Sequence, residues 1–220
     1  MKKRLQYIIG LSLITPLMIL APVAIAHGQT SDSSSSSGDQ LTETEKTQLQ
    51  TRVEKEKTDL KIKLGTAETA LIKAKCTPAQ SNIKSLSTRF LTNVPQRVKA
   101  YENLSSHLNT LIDKLKAKGV DTTEITQELT TLQAKITTYN TDVTTYKQAL
   151  TDAKNVNCAT DPAAFKAALQ TARNDRDQVI KDIADIKTYV TGTVKPTLQK
   201  IRTTLASQEQ SNSQNTGSNQ

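Results

Sequence analysis

Ile125, Leu129, Leu132, Ile136, Tyr139, Val143, Tyr146 and Leu150 follow one another at spacings of 4, 3, 4, 3, 4, 3 and 4 residues. An unbroken heptad seam of this length puts its apolar side chains on one stripe of an α-helix. A strand, whose side chains alternate faces residue by residue, cannot produce it. A helix so marked must bury the stripe against other helices, which constrains the chain to helix-on-helix packing. The boundaries of this third helix also read from the sequence. Gly119 ends the preceding helix in a left-handed conformation, Asp121 stands as N-cap, and Glu124 completes a capping box. The helix is expected to reach about Lys154, a length of about 50 Å.

Three further helices are expected around it. The second opens with Thr77 as cap and Pro78 in its first turn. Its seam is Ile83, Leu86, Phe90, Val94, Val98, Tyr101, Leu104, Leu108, Leu111 and Leu115, and a slip beside Pro95 predicts a kink. The fourth opens with Asp161 and Pro162 and runs along Phe165, Leu169, Ala172, Arg176, Val179, Ile183, Ile186 and Val190. Its phase then slips through Val194 and Leu198, beside Gly192 and Pro196. That slip predicts a kink or a separate last helix from Lys195 to Ala206. The first, from Leu41 to Lys75, has a thinner seam of Leu49, Val53, Leu60, Leu64, Ala67, Leu71 and Ala74. Arg176 on a seam is read as buried against an acidic partner or as the limit of the core. The surrounding charges, Arg173, Asp175, Asp177 and Asp182, are read as exposed helix-surface pairs. Seven glycines, no tryptophan and two phenylalanines argue against a sandwich or an α/β fold.

The start of the chain reads as an export signal. Lys2, Lys3 and Arg4 precede an apolar run from Leu5 to Ala26 that ends in the small-x-small pattern Ala24-Ile25-Ala26. Cleavage after Ala26 makes residues 1–26 a signal peptide and begins the mature chain at His27. The alternative is an uncleaved membrane anchor. Residues 27–40, with five consecutive serines, read as a flexible spacer, and residues 207–220 as a disordered polar tail. The folded part is therefore expected over 41–206. Without the signal, 26 basic residues stand against 21 acidic ones, a net charge of +5. Along the sequence the charges read as interspersed, with no basic stripe carrying stacking aromatics, so no nucleic acid is expected as partner.

The links between the four helices are short: Thr77, then Gly119-Val120-Asp121, then Asn155 to Asp161. Short links force antiparallel neighbours, so the expected fold is all-α, an elongated antiparallel up-down-up-down bundle of about four long helices. The first and third links then lie at one pole, and each holds one of the two cysteines, Cys76 and Cys158. Under oxidising conditions they are expected to pair and so staple the bundle.

Candidate chemistry is sparse. His27 lies in the spacer and His107 on a helix surface. There is no His-Glu-x-x-His, no Cys-x-x-Cys and no glycine-rich phosphate loop, and no base is placed near Cys158. No catalytic residue, metal ligand or cofactor is therefore assigned. Tyr101, Tyr139, Tyr146 and Tyr189 read as core filling.

In its layout the chain resembles uncharacterised exported helical proteins of small-genome bacteria, including the candidate-phylum Saccharibacteria. The shared features are a signal, a Ser-rich spacer, a helical array with two distant cysteines and a Gln/Asn/Ser tail. The resemblance implies an extracytoplasmic location and carries over no functional residue. The expected function is a non-enzymatic structural or protein-interaction module, secreted or at the cell surface. The alternative is an extracytoplasmic chaperone or adaptor that clamps a protein partner with a bundle groove. The expected partner is a protein of unknown identity, a homo-oligomer being open, and a membrane is met only through an uncleaved signal segment.

Overall fold

The computed structural model describes residues 41–217. The expected signal peptide, the spacer with His27, and the last three residues lie outside the described residues. The described chain is all-helical, and no strand occurs among its residues.

The elements are α1 (Glu43–Asp59), α2 (Thr66–Ala74), α3 (Cys76–Ala117), α4 (Thr123–Asn155), α5 (Pro162–Tyr189), a π turn (Val190–Val194) and α6 (Lys195–Gly217). The first helix expected over Leu41 to Lys75 is thus two helices. α1 is opened by a capping box: Thr42 Oγ1 accepts from the Glu45 N–H at 3.3 Å, and the Thr42 N–H donates to Glu45 Oε2 at 2.8 Å. It closes where Lys61 takes a left-handed conformation (φ 49°) and the Ile62 N–H reaches back to Lys57 O at 3.0 Å. Gly65 then starts α2. The thin seam explains the break. Between Val53 and Leu60 the heptad position falls on Lys57, so no apolar stripe holds the turn together. As a result Leu71, expected on the seam, is 59% exposed.

α2 and α3 are separated only by Lys75, and Cys76 is the first residue of α3. α3 continues through Pro95 without a break in its assignment. It ends at Gly119 (φ 71°), where the Val120 N–H bonds Leu115 O at 3.1 Å, the left-handed stop read from the sequence. The capping box expected at α4 is replaced by another arrangement. Asp121 Oδ1 accepts from the Thr123 N–H at 2.9 Å, while Glu124 is drawn to Lys200 Nζ at 2.9 Å. α4 tolerates its many threonines because their hydroxyls bond back one turn. Thr130, Thr137 and Thr144 donate to the carbonyls of Thr126, Gln133 and Asn140 at 3.1, 3.0 and 2.9 Å.

All eight residues of the α4 seam are at most 8% exposed. α4 is central, packed on α3 along one flank and α5 along the other, while α1 packs chiefly on α5. Phe90 meets Tyr146 edge-on (centroids 4.6 Å apart) and Tyr101 meets Tyr139 (5.3 Å), so α3 and α4 run in opposite senses. α4 and α5–α6 likewise oppose: the Tyr189 hydroxyl donates to Glu128 O at 3.2 Å and Lys200 pairs with Glu124 further along. Four long helices were expected. The described part has three, with the short α1 and α2 where the first would be. Leu86, left without such a neighbour, is 40% exposed.

The slip after Val190 is a π turn. Continued heptad spacing would bring the seam to positions 193, 197, 200 and 204, and the apolar residues stand one later, at Val194, Leu198, Ile201 and Leu205. A π turn inserts one residue and restores the phase. Lys195 N–H donates to Val190 O, and Val194 is 2% exposed. α6 then runs to Gly217, beyond the Ala206 expected from composition, since no proline or glycine interrupts residues 207–216.

Candidate functional site: the stapled pole and an acidic seam

Cys76 and Cys158 are joined, with Cα atoms 5.5 Å apart. Cys158 sits in the link between α4 and α5, fully buried, and Cys76 at the head of α3. Around them is a small core of its own: Val53, Ile83, Ala153, Val156, Ala164, Phe165 and Ala168. The alanines of α5 let α1 and α4 approach its axis closely. The Asp161 side chain caps α5 by accepting from the Ala164 N–H at 2.9 Å. Gln80 Nε2 donates to Val156 O at 2.9 Å and ties α3 to the link.

Beside the staple lies an ion pair whose carboxylate is buried and whose guanidinium is partly exposed. Arg52 of α1 forks onto Asp152 of α4, Nε to Oδ2 and Nη2 to Oδ1, both at 2.7 Å, and Gln148 Nε2 adds a third donor at 2.8 Å. Asp152 is 2% exposed, so its charge depends on these donors. The hydrogen bond to Asp152 raises the Arg52 guanidinium above its ordinary value.

From this pair a line of carboxyls follows, Glu56 of α1, Asp175 and Asp182 of α5 and Asp142 of α4. Burial pushes the Glu56 carboxyl up, the Asp152 charge adds to this, and the facing Thr171 side chain opposes it. Asp175 is raised by burial and then by Asp142. Asp182, 6% exposed, is raised by burial first and then by its hydrogen-bonding contact with Asp142. Glu56 Oε2, Asp175 Oδ2 and Asp182 Oδ2 are buried without a conventional partner. Asp182 and Asp142 thus face each other as two carboxyls, which favours the neutral form of Asp182 over its charged one. Further along, the Thr197 hydroxyl donates to Glu128 Oε1 at 2.6 Å. The arrangement places polar groups from α1, α4, α5 and α6 against one another. Among the described residues no three His, Cys, Asp or Glu side chains converge as metal ligands.

Arg176, expected on the seam, is exposed. It turns to Asp177 Oδ1, with Nη2 at 2.8 Å and Nε at 3.1 Å, and it is Asp175 beside it that enters the interface. His107 is exposed on α3. Sequence reading missed the acidic seam because it followed apolar positions only. The signal was present: Asp175 and Asp182 are seven residues apart, each preceding a seam position, and Asp142 precedes Val143.

No family model matches the chain, and neither a curated protein nor a solved structure matches it.

Proposed function

We propose that the chain is an exported, non-enzymatic helical module of the cell surface or exterior, acting through its surface on a partner rather than through catalysis. Its helices follow an up-down-up-down order in which α1 and α2 together stand for the first member. The opposed pairs Phe90–Tyr146, Tyr101–Tyr139 and Glu124–Lys200 support that order. The observation that carries the reading is the disulfide between Cys76 and Cys158 in a chain with no other cysteine, which fits an oxidising compartment. The buried polar groups are held between packed helices, as Arg52 with Asp152 and Thr197 with Glu128 are, which supports a structural role for them.

The test is fractionation of the native cells, followed by N-terminal sequencing and non-reducing peptide mapping. The expected result is protein in the envelope or medium, beginning at His27, with the two cysteine peptides linked. Intact protein in the cytoplasm with both thiols free would overturn the proposal.

A further inference from the structure

The charges that read as interspersed along the sequence are segregated in the folded part. Residues 60–101, comprising α2 and the first half of α3, hold eight lysines and arginines against one acid, Glu68. Residues 41–59 and 102–217 together hold 18 basic and 18 acidic residues, so the net excess of the described chain lies wholly in this one stretch. Glu68 is itself engaged with Lys166 of α5 at 2.6 Å. Lys73, Lys75, Lys84, Arg89 and Lys99 are exposed, and none forms an ion pair among the described residues.

Their placement is directional. At 100° per residue, Arg89 and Lys99 fall on the side of α3 away from Ile83, Phe90 and Val94, which pack inward, and Lys84 stands at the edge of that side. The positions between them on that strip are Ser85, Thr88, Thr92, Pro95 and Gln96, all small or polar. From Lys84 to Lys99 the cations extend over about 22 Å of α3 at helical rise, and Lys73 and Lys75 stand just before its first turn. An extended cationic strip without acids is an electrostatic footprint for a chain-like anion. Two features narrow the class. Both aromatics of the stretch, Phe90 and Tyr101, are spent on Tyr146 and Tyr139, so none is presented for base stacking. Leu91, seven residues after Lys84, borders the strip as a single leucine, while Leu86 lies on the opposite flank of α3, so no apolar row of the kind a bilayer needs runs along the docking face.

We propose that α2 and the first half of α3 form a docking strip for a flexible linear polyanion without bases, held by Lys73, Lys75, Lys84, Arg89 and Lys99. Lysines dominate, so recognition is by point charge and not by a fixed fork geometry. The inference goes beyond the function proposed above, and its test does not depend on where the protein resides.

The test uses residues 41–220, which hold every described element, both cores and the disulfide. The probe is long-chain inorganic polyphosphate, titrated at several salt concentrations. Five cations engaged give a slope of log affinity against log salt of about −3.5, at about −0.7 per phosphate, so affinity falls roughly a hundredfold between 50 and 200 mM salt. The variant Lys84→Gln/Arg89→Gln/Lys99→Gln is expected to reduce the slope to about −1.4. The charge-matched control Lys147→Gln/Lys187→Gln/Lys195→Gln keeps the wild-type slope. On the wild-type protein, polyphosphate should shield Lys73, Lys75, Lys84 and Lys99 from amine acylation, read by peptide mapping, whatever the folding of the variants. Equal slopes in the variant and the control would overturn the strip. Shielding elsewhere, or binding to anionic vesicles but not to polyphosphate, would also overturn it.

Discussion

Reducing the bond between Cys76 and Cys158 separates its energetic effect from that of the packing around it. The bond joins residues 82 apart in sequence, and both sulfurs lie in the small core at the stapled pole. A cross-link acts mainly by restricting the unfolded chain. For a loop of this length the chain-entropy relation gives about 4.5 kcal/mol at 25 °C, with measured effects commonly 2–4 kcal/mol. For a folded part of this size, about 1 kcal/mol corresponds to roughly 2–4 °C in melting temperature. Reduction is therefore expected to lower the midpoint by about 10 °C. Helicity below the transition should hardly change, because the α4 seam and its contacts with α3 and α5 are independent of the bond. The assay is circular dichroism at 222 nm during a melt with and without reductant, with free thiols counted at the end. The sharper readout is kinetic. An effect on the unfolded state slows refolding of the reduced chain more than it speeds unfolding, provided the pole is assembled in the transition state. An unchanged midpoint after verified reduction would refute the reasoning. Loss of helicity at 20 °C would also refute it, by assigning to the bond what is here assigned to packing.

Arg52→Ala leaves the Asp152 carboxylate buried without its forked donor and is expected to cost about 2–3 kcal/mol in chemical denaturation, discounted for the 38% exposure of the Arg52 side chain. Lys57→Ala, which loses the exposed contacts with Glu54 and Asp161, should cost under about 1 kcal/mol; equal costs would contradict this reading. Leu132→Ala, at a fully buried seam position, is expected to cost about 3 kcal/mol against less than about 1 kcal/mol for Leu86→Ala, measured by urea unfolding. The carboxyls of Glu56, Asp175 and Asp182 are raised in the folded state, so the fold binds their protons more tightly than the unfolded chain does. Their stabilising contribution is complete below the ordinary carboxylate range near about 4 and is lost as pH rises through the raised folded values. Calorimetry should therefore show the Asp182→Asn variant losing less melting temperature than wild type between pH 5 and pH 8, with a midpoint about 2 °C higher at pH 8. An unchanged pH dependence would contradict the raised Asp182 carboxyl.

The sequence was most legible where packing surrounds a helix on two sides. The α4 seam is covered by α3 and α5, so each of its eight apolar positions has a buried place to go. The cysteine pair was legible because the links holding it are too short to leave one pole. The one-residue slip after Val190 was visible as a phase change, though not as the π turn that accommodates it. The first helix was misjudged because nothing in a lysine marks a left-handed turn, and Lys61 takes one only because the seam fails at Lys57. Arg176 was misplaced by one position. A 3.6-residue helix drifts against a strict heptad, and along α5 the drift exchanges Arg176 for Asp175 at the interface. The capping box at α4 yielded to a tertiary partner, Lys200, that local spacing does not contain. The acidic seam escaped because its residues flank the apolar stripe instead of interrupting it.

The bond between Cys76 and Cys158 also changes what the molecule is as a covalent object. It makes a closed ring of α3, α4 and their connection, with one tail leading through α1 and α2 and another through α5 and α6. Within that ring the exposed, non-helical turn between α3 and α4 lies at Lys118 and Gly119. A protease that cuts there opens the ring but releases nothing, because both halves stay joined at the far pole. A cut in either tail leaves its piece held by packing alone, with no covalent bond to the ring. For a protein read as working outside the cell, the commonest kind of damage to its longest hairpin is thus survivable, and the two pieces remain in each other's grip for as long as the surroundings stay oxidising.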